Sequence, residues 1–446
     1  MAKKTKDSNL SIEERLEQAL IPNWDEPYKL PPNWCWVKLS TVCSLENGEK
    51  YTEKDLVYLD AKTLRGVTEP QTRDSGIVVN KDQKVILVDG ENSGEVFVVP
   101  YRGYMGSTFK ILNIVTNADE MYIRYFVDQN RERLRNSKVG SAIPHLNKDL
   151  FFDLKLPFPP LSEQKRIVAH IETLFAKLDE AKKRAQEVID DIETRKAAIL
   201  HKAFTGELTA KWREERGVGM ESWEKRRINE LARPRAGYAF DSKKFSNTGY
   251  QVVRMGNLYG ETLDLFRKPV FISEDDVDDS ILNRALIKDG DILITLTGTK
   301  YKRDYGYAVC VSSPNKLLVN QRILCLTPFA CVERNYLLYY LKSNLFRDVF
   351  FSCETGGVNQ GNVSSKFVEN IEIPIPTFDE QLEITTVLDR TLAHEQQAKE
   401  AAEAVLDQIE LMKKSILARA FRGELGTNDP SEESAVELLR MILESK

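Results

Sequence analysis

Residues 157–208 of this chain recur as residues 374–425 at a constant offset of 217, without insertion, and 21 of the 52 aligned positions are identical. The identities gather at both ends. Glu163-Gln164 matches Glu380-Gln381, and Ala203-Phe204-x-Gly206-Glu207-Leu208 matches Ala420-Phe421-x-Gly423-Glu424-Leu425. A chain that repeats itself at half its own length has two equivalent halves, and whatever it recognises is expected to have two halves as well.

Each copy opens on a strand broken by proline, Leu154–Pro160 and Ile371–Thr377. Proline cannot donate to a ladder, so the strand must stop there and the chain must turn. Ser162 and Asp379 then stand as candidate N-caps. Beyond them the period lengthens to that of a helix. In the first copy Ile167, Ile171, Leu174, Leu178, Ala181, Ala185, Val188, Ile192 and Ile199 follow a heptad seam, interrupted at Arg195. In the second, Ile384, Leu388, Ala398, Ala402, Val405, Ile409, Met412 and Ile416 hold the same register, with polar Thr391 and Glu395 in the gap. A narrow seam of this kind packs on one partner helix, and Gly206 and Gly423 stand where such helices end. A rod of this length, roughly 63 Å at 1.5 Å per residue, cannot be covered by a small domain. Its expected partner is the other copy, as an intramolecular antiparallel coiled coil; a generic dimerisation helix is the alternative.

The repeats divide the chain into an N-terminal segment (1–25), a first variable block (26–156), a first repeat region (157–212), a second variable block (213–373), a second repeat region (374–425) and a tail expected to be helical (426–446). The blocks share punctuation but little sequence. Each has a tryptophan five residues before an aliphatic (Trp34 and Leu39; Trp223 and Ile228), an aliphatic run ending in glycine (Gly66; Gly260), an Asp-Gly beside a strand (Asp89-Gly90; Asp289-Gly290) and a Tyr/Phe-rich helical patch (121–126; 336–346). A glycine-containing loop closes each, 140–146 and 356–360. The blocks read as divergent copies of one α+β fold, arranged with pseudo-twofold equivalence about the paired helices.

Net charge is −5, which neither argues for nor excludes nucleic acid, because a DNA footprint is a local patch of Lys and Arg. The clearest patch is Thr299, Lys300, Tyr301, Lys302 and Arg303, following Thr297-Gly298: small residues for close backbone approach, cations for phosphates and a tyrosine for base contact. A solvated loop is the competing reading. Further candidates are Lys62, Arg65, Tyr101, Arg102 and Tyr104 in the first block, and Lys243, Lys244, Arg254, Asn257, Asn320, Gln321 and Gln360 in the second.

Catalytic signatures are missing. The sequence has no GxxxxGK[ST], GxSxG or GxGxxG, no Pro-Asp dipeptide of a metal-dependent nuclease, and no (Asn/Asp)-Pro-Pro-(Phe/Tyr) of an amino-methyltransferase. Four histidines (145, 170, 201, 394) form no metal-binding pattern, and six cysteines (35, 43, 310, 325, 331, 353) show no CxxC and read as buried thiols. There is no signal-like apolar run and no stretch near ~18 apolar residues, so a cytoplasmic chain without membrane contact is expected.

Two variable blocks, each followed by P-x-P-x-(L/F)-x-E-Q, a heptad helix and A-F-x-G-E-L, resemble the specificity (S) subunit of type I restriction–modification systems. The resemblance covers essentially the whole chain, including Thr209-Ala210-Lys211-Trp212-Arg213 after the first repeat; the second copy departs from it at Gly426-Thr427-Asn428, so its tail is expected to pack differently. The resemblance implies that the blocks are target-recognition domains, each reading one half of a bipartite sequence in double-stranded DNA, and that the helices set the spacer. It implies no catalysis and no cofactor in this chain. Two modification subunits would use S-adenosylmethionine to methylate adenine N6, and two motor/nuclease subunits, where present, would bring ATP and Mg. The competing class is a coiled-coil scaffold whose domains bind proteins or ligands.

Overall fold

A computed structural model of the chain describes residues 10–138, 144–357 and 359–445. The chain forms two compact units, one of Met1–Ala185 with Ala404–Lys446, the other of Gln186–Glu403. Each holds one variable block and a stretch of each long helix.

The repeats form helices of 44 and 43 residues, Leu161–Phe204 and Phe378–Ala420. In the first unit, Ile167, Val168 and Ile171 share a core with Leu417, Ala420 and Phe421. Asp179 meets Lys413 at 2.5 Å and Lys182 meets Glu410 at 3.0 Å, so residue numbers fall on one helix as they rise on the other. In the second unit Leu200, Ala203 and Phe204 share a core with Ile384 and Leu388. Within each unit the two helices run antiparallel, as expected. The polar interruptions answer one another: the Arg195 guanidinium binds the Glu395 carboxylate at 2.9 Å.

Parts of the seam differ from the heptad expectation. Val188, Val405 and Met412 are 37, 39 and 50% exposed, while Ile189, Leu406 and Lys413 turn inward in their place. A straight helix has 3.6 residues per turn, so a strict 3.5-residue pattern drifts by about 20° per heptad and rotates some seam positions out. Lys413 compensates for its charge by lying over the Phe175 ring and pairing with Asp179. The expected caps also move. The helices begin at Leu161 and Phe378, so Ser162 and Asp379 fall in the first turn. The Pro160 carbonyl accepts from the Glu163 and Gln164 N–H groups, and the Thr377 hydroxyl accepts from Glu380 N–H at 3.4 Å.

The variable blocks repeat one strand order. In the first, a four-stranded sheet runs Cys43–Glu46, Phe109–Ile114, Lys84–Leu87, Val96–Val98; in the second, Ala232–Ala236, Ile323–Pro328, Ile292–Thr295, Ala308–Cys310. A second layer sets Lys50–Leu59 antiparallel to Gln71–Val79 and parallel to Gly103–Met105. Its counterpart sets Tyr250–Val253 antiparallel to Phe271–Ile272 and parallel to Leu317–Val319. The blocks are copies of one mixed α and β fold. This order corrects one piece of the shared punctuation: Asp89-Gly90 follows the strand Lys84–Leu87, whereas Asp289-Gly290 precedes the equivalent Ile292–Thr295. The left-handed position answering Gly290 (φ 81°) is Asp82 (φ 69°).

The end motifs explain how blocks and helices join. Glu163 and Glu380 are fully buried, and their carboxylates accept from the indole N–H groups of Trp34 (2.8 Å) and Trp223 (3.0 Å). Gln164 accepts from Asp119 N–H and donates to the Pro159 carbonyl; Gln381 does the same with Glu333 N–H and Pro376. Tyr122 and Tyr336 donate to the Pro157 and Pro374 carbonyls, each at 2.7 Å. Phe421 packs 5.0 Å from Tyr122 and 5.4 Å from Phe126, and Phe204 packs 5.3 Å from Tyr336 and 5.1 Å from Tyr340. Each block is therefore bonded to the start of one repeat helix and to the end of the other. Gly206 (φ 83°) and Gly423 (φ 71°) end the helices in the left-handed region; a Cβ on Gly423 would also sit 2.5 Å from Pro31.

The two carboxylates differ in their remaining partners. Glu380 takes the Thr209 hydroxyl at 2.7 Å and the Arg213 guanidinium, which also donates to the Gly206 carbonyl at 2.5 Å. Glu163 takes only neutral groups from the other terminus, Asn428 Nδ2 at 2.8 Å and the Thr427 hydroxyl at 3.4 Å. The tail does pack differently: Arg166 binds Glu432 through two bonds of 2.8 Å, and the helix Ala435–Glu444 joins the core beside Ile12–Ala19. Cys35, Cys43 and Cys325 are buried as expected, but Cys331 and Cys353 lie at the surface, still as thiols.

Arg213→Ala strands the buried Glu380 carboxylate, and breaking such a pair costs about 3 kcal/mol or more. Denaturant unfolding should show that loss, with partial recovery when Glu380→Gln is added to remove the unpaired charge. A loss below about 1 kcal/mol, the value of an exposed pair, would contradict the clamp.

Candidate nucleic-acid interface

The sequence-predicted loop Thr299–Arg303 sits on a frame built to display it. Thr297-Gly298 pairs with Gly361-Asn362, and between these strands and the loop lies Tyr305, 1% exposed, whose hydroxyl donates to Glu354 at 2.7 Å. A Cβ on Gly298 would meet the Tyr305 ring at 2.6 Å, and one on Gly361 would meet Glu354 at 2.2 Å, so both strands need their glycine. Burial, and then the bond to Glu354, push the Tyr305 phenol far above its ordinary pKa; it is a fixed neutral post.

Above this post the loop is tied by its backbone. Asp304 accepts from Thr299 N–H at 2.7 Å, and Arg347 donates to the carbonyls of Arg303 (2.8 Å), Tyr305 (3.2 Å) and Gly306 (3.3 Å). Tyr301 (φ 69°) and Arg303 (φ 50°) are both held in the left-handed region, a strain of order 1 kcal/mol each that persists only where surroundings impose it. Tyr301 is 81% exposed, and Lys302 and Arg303 are exposed beside it. Lys300 donates to the Gly356 carbonyl at 3.3 Å, which brings the loop against the segment carrying exposed Gln360. The predicted residues Thr299–Arg303 and Gln360 thus meet on one surface.

A stack of alternating rings and guanidinium groups runs on from there. Arg303 and Arg347 lie over Phe351, both at 5.2 Å; Arg347 also faces Tyr307 at 5.6 Å; Tyr307 packs on Tyr259 at 5.6 Å; and Arg267 lies over Tyr259 at 5.4 Å. Burial draws the Arg347 guanidinium below its ordinary pKa and pushes the Tyr307 phenol up. No sequence signal marked Arg347, Tyr259 or Arg267, because their alternation exists only in space.

The other candidates divide. Arg254 and Asn320 follow the parallel strands Val253 and Val319 side by side, with Asn320 N–H donating to the Val253 carbonyl at 3.1 Å and exposed Gln321 next in chain. Lys243 and Lys244 lie on an exposed turn, where Lys244 pairs with Asp276 at 2.9 Å. In the first block Lys62 is exposed on a short helix, Tyr101 is 40% exposed, Arg65 is held by Glu95 and Arg102 binds Glu53 at 2.7 Å. Two candidates are corrected. Tyr104 is fully buried, its hydroxyl bonded to Glu53 N–H and carbonyl, and Asn257 is 3% exposed, its side chain spent on Arg254 N–H and the Asp264 and Arg267 carbonyls. Both brace loops and neither can reach a base. Of the glycine loop in the first block, residues 140–143 lie outside the described residues.

Equivalent loops carry opposite charge. The first block's counterpart of Thr297–Arg303 holds Asp89, bonded to His145 at 2.7 Å, and Glu91, bonded to Lys138 at 2.6 Å. Asp89 bridges His145 as Thr297 pairs with Asn362, 217 residues on from His145. Among the described residues no group of three or more His, Cys, Asp or Glu side chains could hold a metal ion, and no helix is long and apolar enough to cross a membrane.

Known proteins place this architecture. Residues 31–190 and 220–404 each match the family described as the type I restriction modification DNA specificity domain. The chain is similar to the type I restriction enzyme MjaVIII specificity subunit of Methanocaldococcus jannaschii, 25% identical over 427 residues that cover 89% of this chain and 94% of that protein. It is equally similar to the EcoKI specificity subunit of Escherichia coli, 25% identical over 433 residues, covering 89% and 90%. Its fold is shared with a solved chain concerned with complex assembly and conformational transition of the type I R-M system (TM-score 0.67, 22% identity, 90% of this chain and all of that one). It is shared too with the HsdS subunit from Thermoanaerobacter tengcongensis (TM-score 0.56, 22% identity, 90% and 99%). With both halves matched over most of its length, the chain belongs to the type I restriction–modification DNA specificity family.

Proposed function

We propose that this chain is the subunit that gives a type I restriction–modification complex its DNA sequence specificity. Each recognition domain reads one half of a bipartite target, and the two repeat helices act as the spacer between them. The observation that carries the reading is the duplication: two blocks of identical strand order, each fixed to both repeat helices by the same Glu-Gln, Trp and Phe contacts, and differing in the loops they display. Two related readers in one chain suit a duplex target made of two half-sites.

In the second domain, Lys300, Lys302 and Arg303 contact phosphates, with Thr299, Tyr301 and Gln360 toward base edges. Arg254, Asn320, Gln321, Lys243 and Lys244 extend that surface. In the first domain Lys62, Arg65, Tyr101 and Arg102 take the corresponding part, at a different loop, because the equivalent of Thr299–Arg303 is acidic there. Phosphate contacts set register, and base contacts specify. Methyl transfer to adenine N6 belongs to two partner modification subunits with S-adenosylmethionine, as do translocation and cleavage to ATP- and Mg-dependent motor/nuclease subunits. Chemistry on a stacked adenine requires base flipping, which falls to the methylating partner.

Binding of duplex DNA by the full-length chain, in the complex in which it is isolated, should weaken steeply between low and moderate salt, by roughly 0.9 in log K per log salt for every phosphate contact. Substituting Lys300, Lys302 and Arg303 together by alanine should make that slope shallower by up to roughly three such contacts. An unchanged slope would clear the loop of phosphate binding, and failure to retain duplex DNA at any salt would sink the reading.

Exchanging residues 213–373 for the equivalent block of a relative should replace one half of the methylated target and preserve the other. Mapping methylated adenines in a host genome reads this directly, and a target that stayed whole or changed throughout would rule out modular reading.

A further inference from the structure

The first domain turns from Lys50–Leu59 to Gln71–Val79 and the second from Tyr250–Val253 to Phe271–Ile272, and each turn exposes an apolar side chain. In the second domain it leaves Tyr250–Val253, passes Gly260 (φ 70°) and reaches Phe266, 94% exposed, before Phe271–Ile272. In the first it leaves Lys50–Leu59, passes Gly66 (φ 70°) and reaches Val67, 69% exposed, before Gln71–Val79. A lone apolar side chain in water is ordinary. A phenyl ring 94% exposed on a turn whose backbone is tied beside it, with an exposed valine on the corresponding turn of the other domain, is not.

The turn that carries Phe266 is rigid. The buried Asn257 amide donates to the carbonyls of Asp264 (2.8 Å) and Arg267 (3.0 Å), and Asp264 accepts from the N–H groups of Phe266 (3.0 Å) and Arg267 (3.2 Å). Arg254 donates to the Lys268 carbonyl at 2.7 Å, and Lys268 is held at φ 47°. Two cations, Arg267 and Lys268, follow the ring in the chain, and the Arg254 guanidinium is bonded to the Lys268 carbonyl. The Asp264 carboxylate, two residues before the ring, accepts from backbone N–H groups. Arg267 also ends the stack that leads through Tyr259, Tyr307 and Arg347 to Arg303.

We infer that Phe266 is a specificity-determining residue, an apolar reader that packs against base edges of the second half-site while Arg254, Arg267 and Lys268 hold the adjoining phosphates. The pre-ordered turn means that little conformational freedom is lost when it docks. Apolar contact of this kind selects the thymine methyl group in the major groove. Val67 is the smaller apolar side chain exposed on the corresponding turn of the first domain. The inference rests on the DNA-reading function proposed above.

The test is a randomised-duplex selection at low salt with the full-length chain in its isolated complex, comparing wild type, Phe266→Ala, Phe266→Leu and the Lys300/Lys302/Arg303 alanine variant. Phe266→Ala should lose sequence preference at one or two base pairs of one half-site and bind its target about tenfold more weakly, the cost of one lost base contact, with the other half-site unchanged. Phe266→Leu should recover part of that preference. Preference and affinity unchanged in Phe266→Ala, while the Lys300/Lys302/Arg303 variant still weakens binding, would overturn the inference and leave the function standing. Loss of partner subunits from Phe266→Ala with its DNA preference intact would overturn it in favour of a protein contact. A wild-type complex that retains no duplex would remove the function itself. The exposure of the ring makes Phe266→Ala safe for folding, and matched unfolding curves check this.

Discussion

A carboxylate without water survives in a protein only where donors converge on it, and each unit of this chain is assembled around one. Glu163 and Glu380 stand at the first turn of a long helix, fully buried, with an indole of the recognition domain on one side and the end of the other long helix on the other. The domain cannot rotate on its helix without breaking the Trp bond, the paired Gln bonds and the Tyr bond to the proline-bearing strand together. The aromatic pocket filled by Phe421 or Phe204 adds the apolar share of the same joint. Polar bonds supply direction here and the buried rings supply most of the free energy.

Such a joint separates two duties. The strand order and the helix ends stay constant, and they position loops that are free to change. The change goes as far as charge: Asp89 and Glu91 lie in the first domain's counterpart of the loop that carries Lys300, Lys302 and Arg303 in the second. The joint itself has diverged once. A guanidinium bonds to Glu380, whereas among the described residues Glu163 is hydrogen-bonded by an indole and by an amide and a hydroxyl that the tail brings.

Much of this was legible in the sequence because it is written in local, periodic terms. The duplication, the long helices, their terminal glycines and the antiparallel pairing within each unit follow from offset, heptads and end motifs. The loop Thr299–Arg303 was legible because its charge is contiguous. What escaped depends on pairing between distant segments. Tyr104 and Asn257 have the composition of contact residues, and only their burial shows them to be braces. Phe266 sat in an undistinguished charged stretch until the strands around it showed that it stands at a tip. Arg195 and Glu395 each looked like a flaw in a seam, and prove to be one another's partner.

The unit boundaries carry a consequence for the order of events during synthesis. The second unit is one continuous stretch, Gln186–Glu403, but the first needs residues from both ends of the chain. Its buried Glu163 waits for Asn428, 265 residues later, and its aromatic pocket for Phe421. The first recognition domain leaves the ribosome early and remains open-sided, with Tyr122, Phe126 and Trp34 short of partners, until Phe421 and Asn428 have been added. Domains ordinarily close in the order in which they are made; here the continuous second unit has all of its residues before the first unit does.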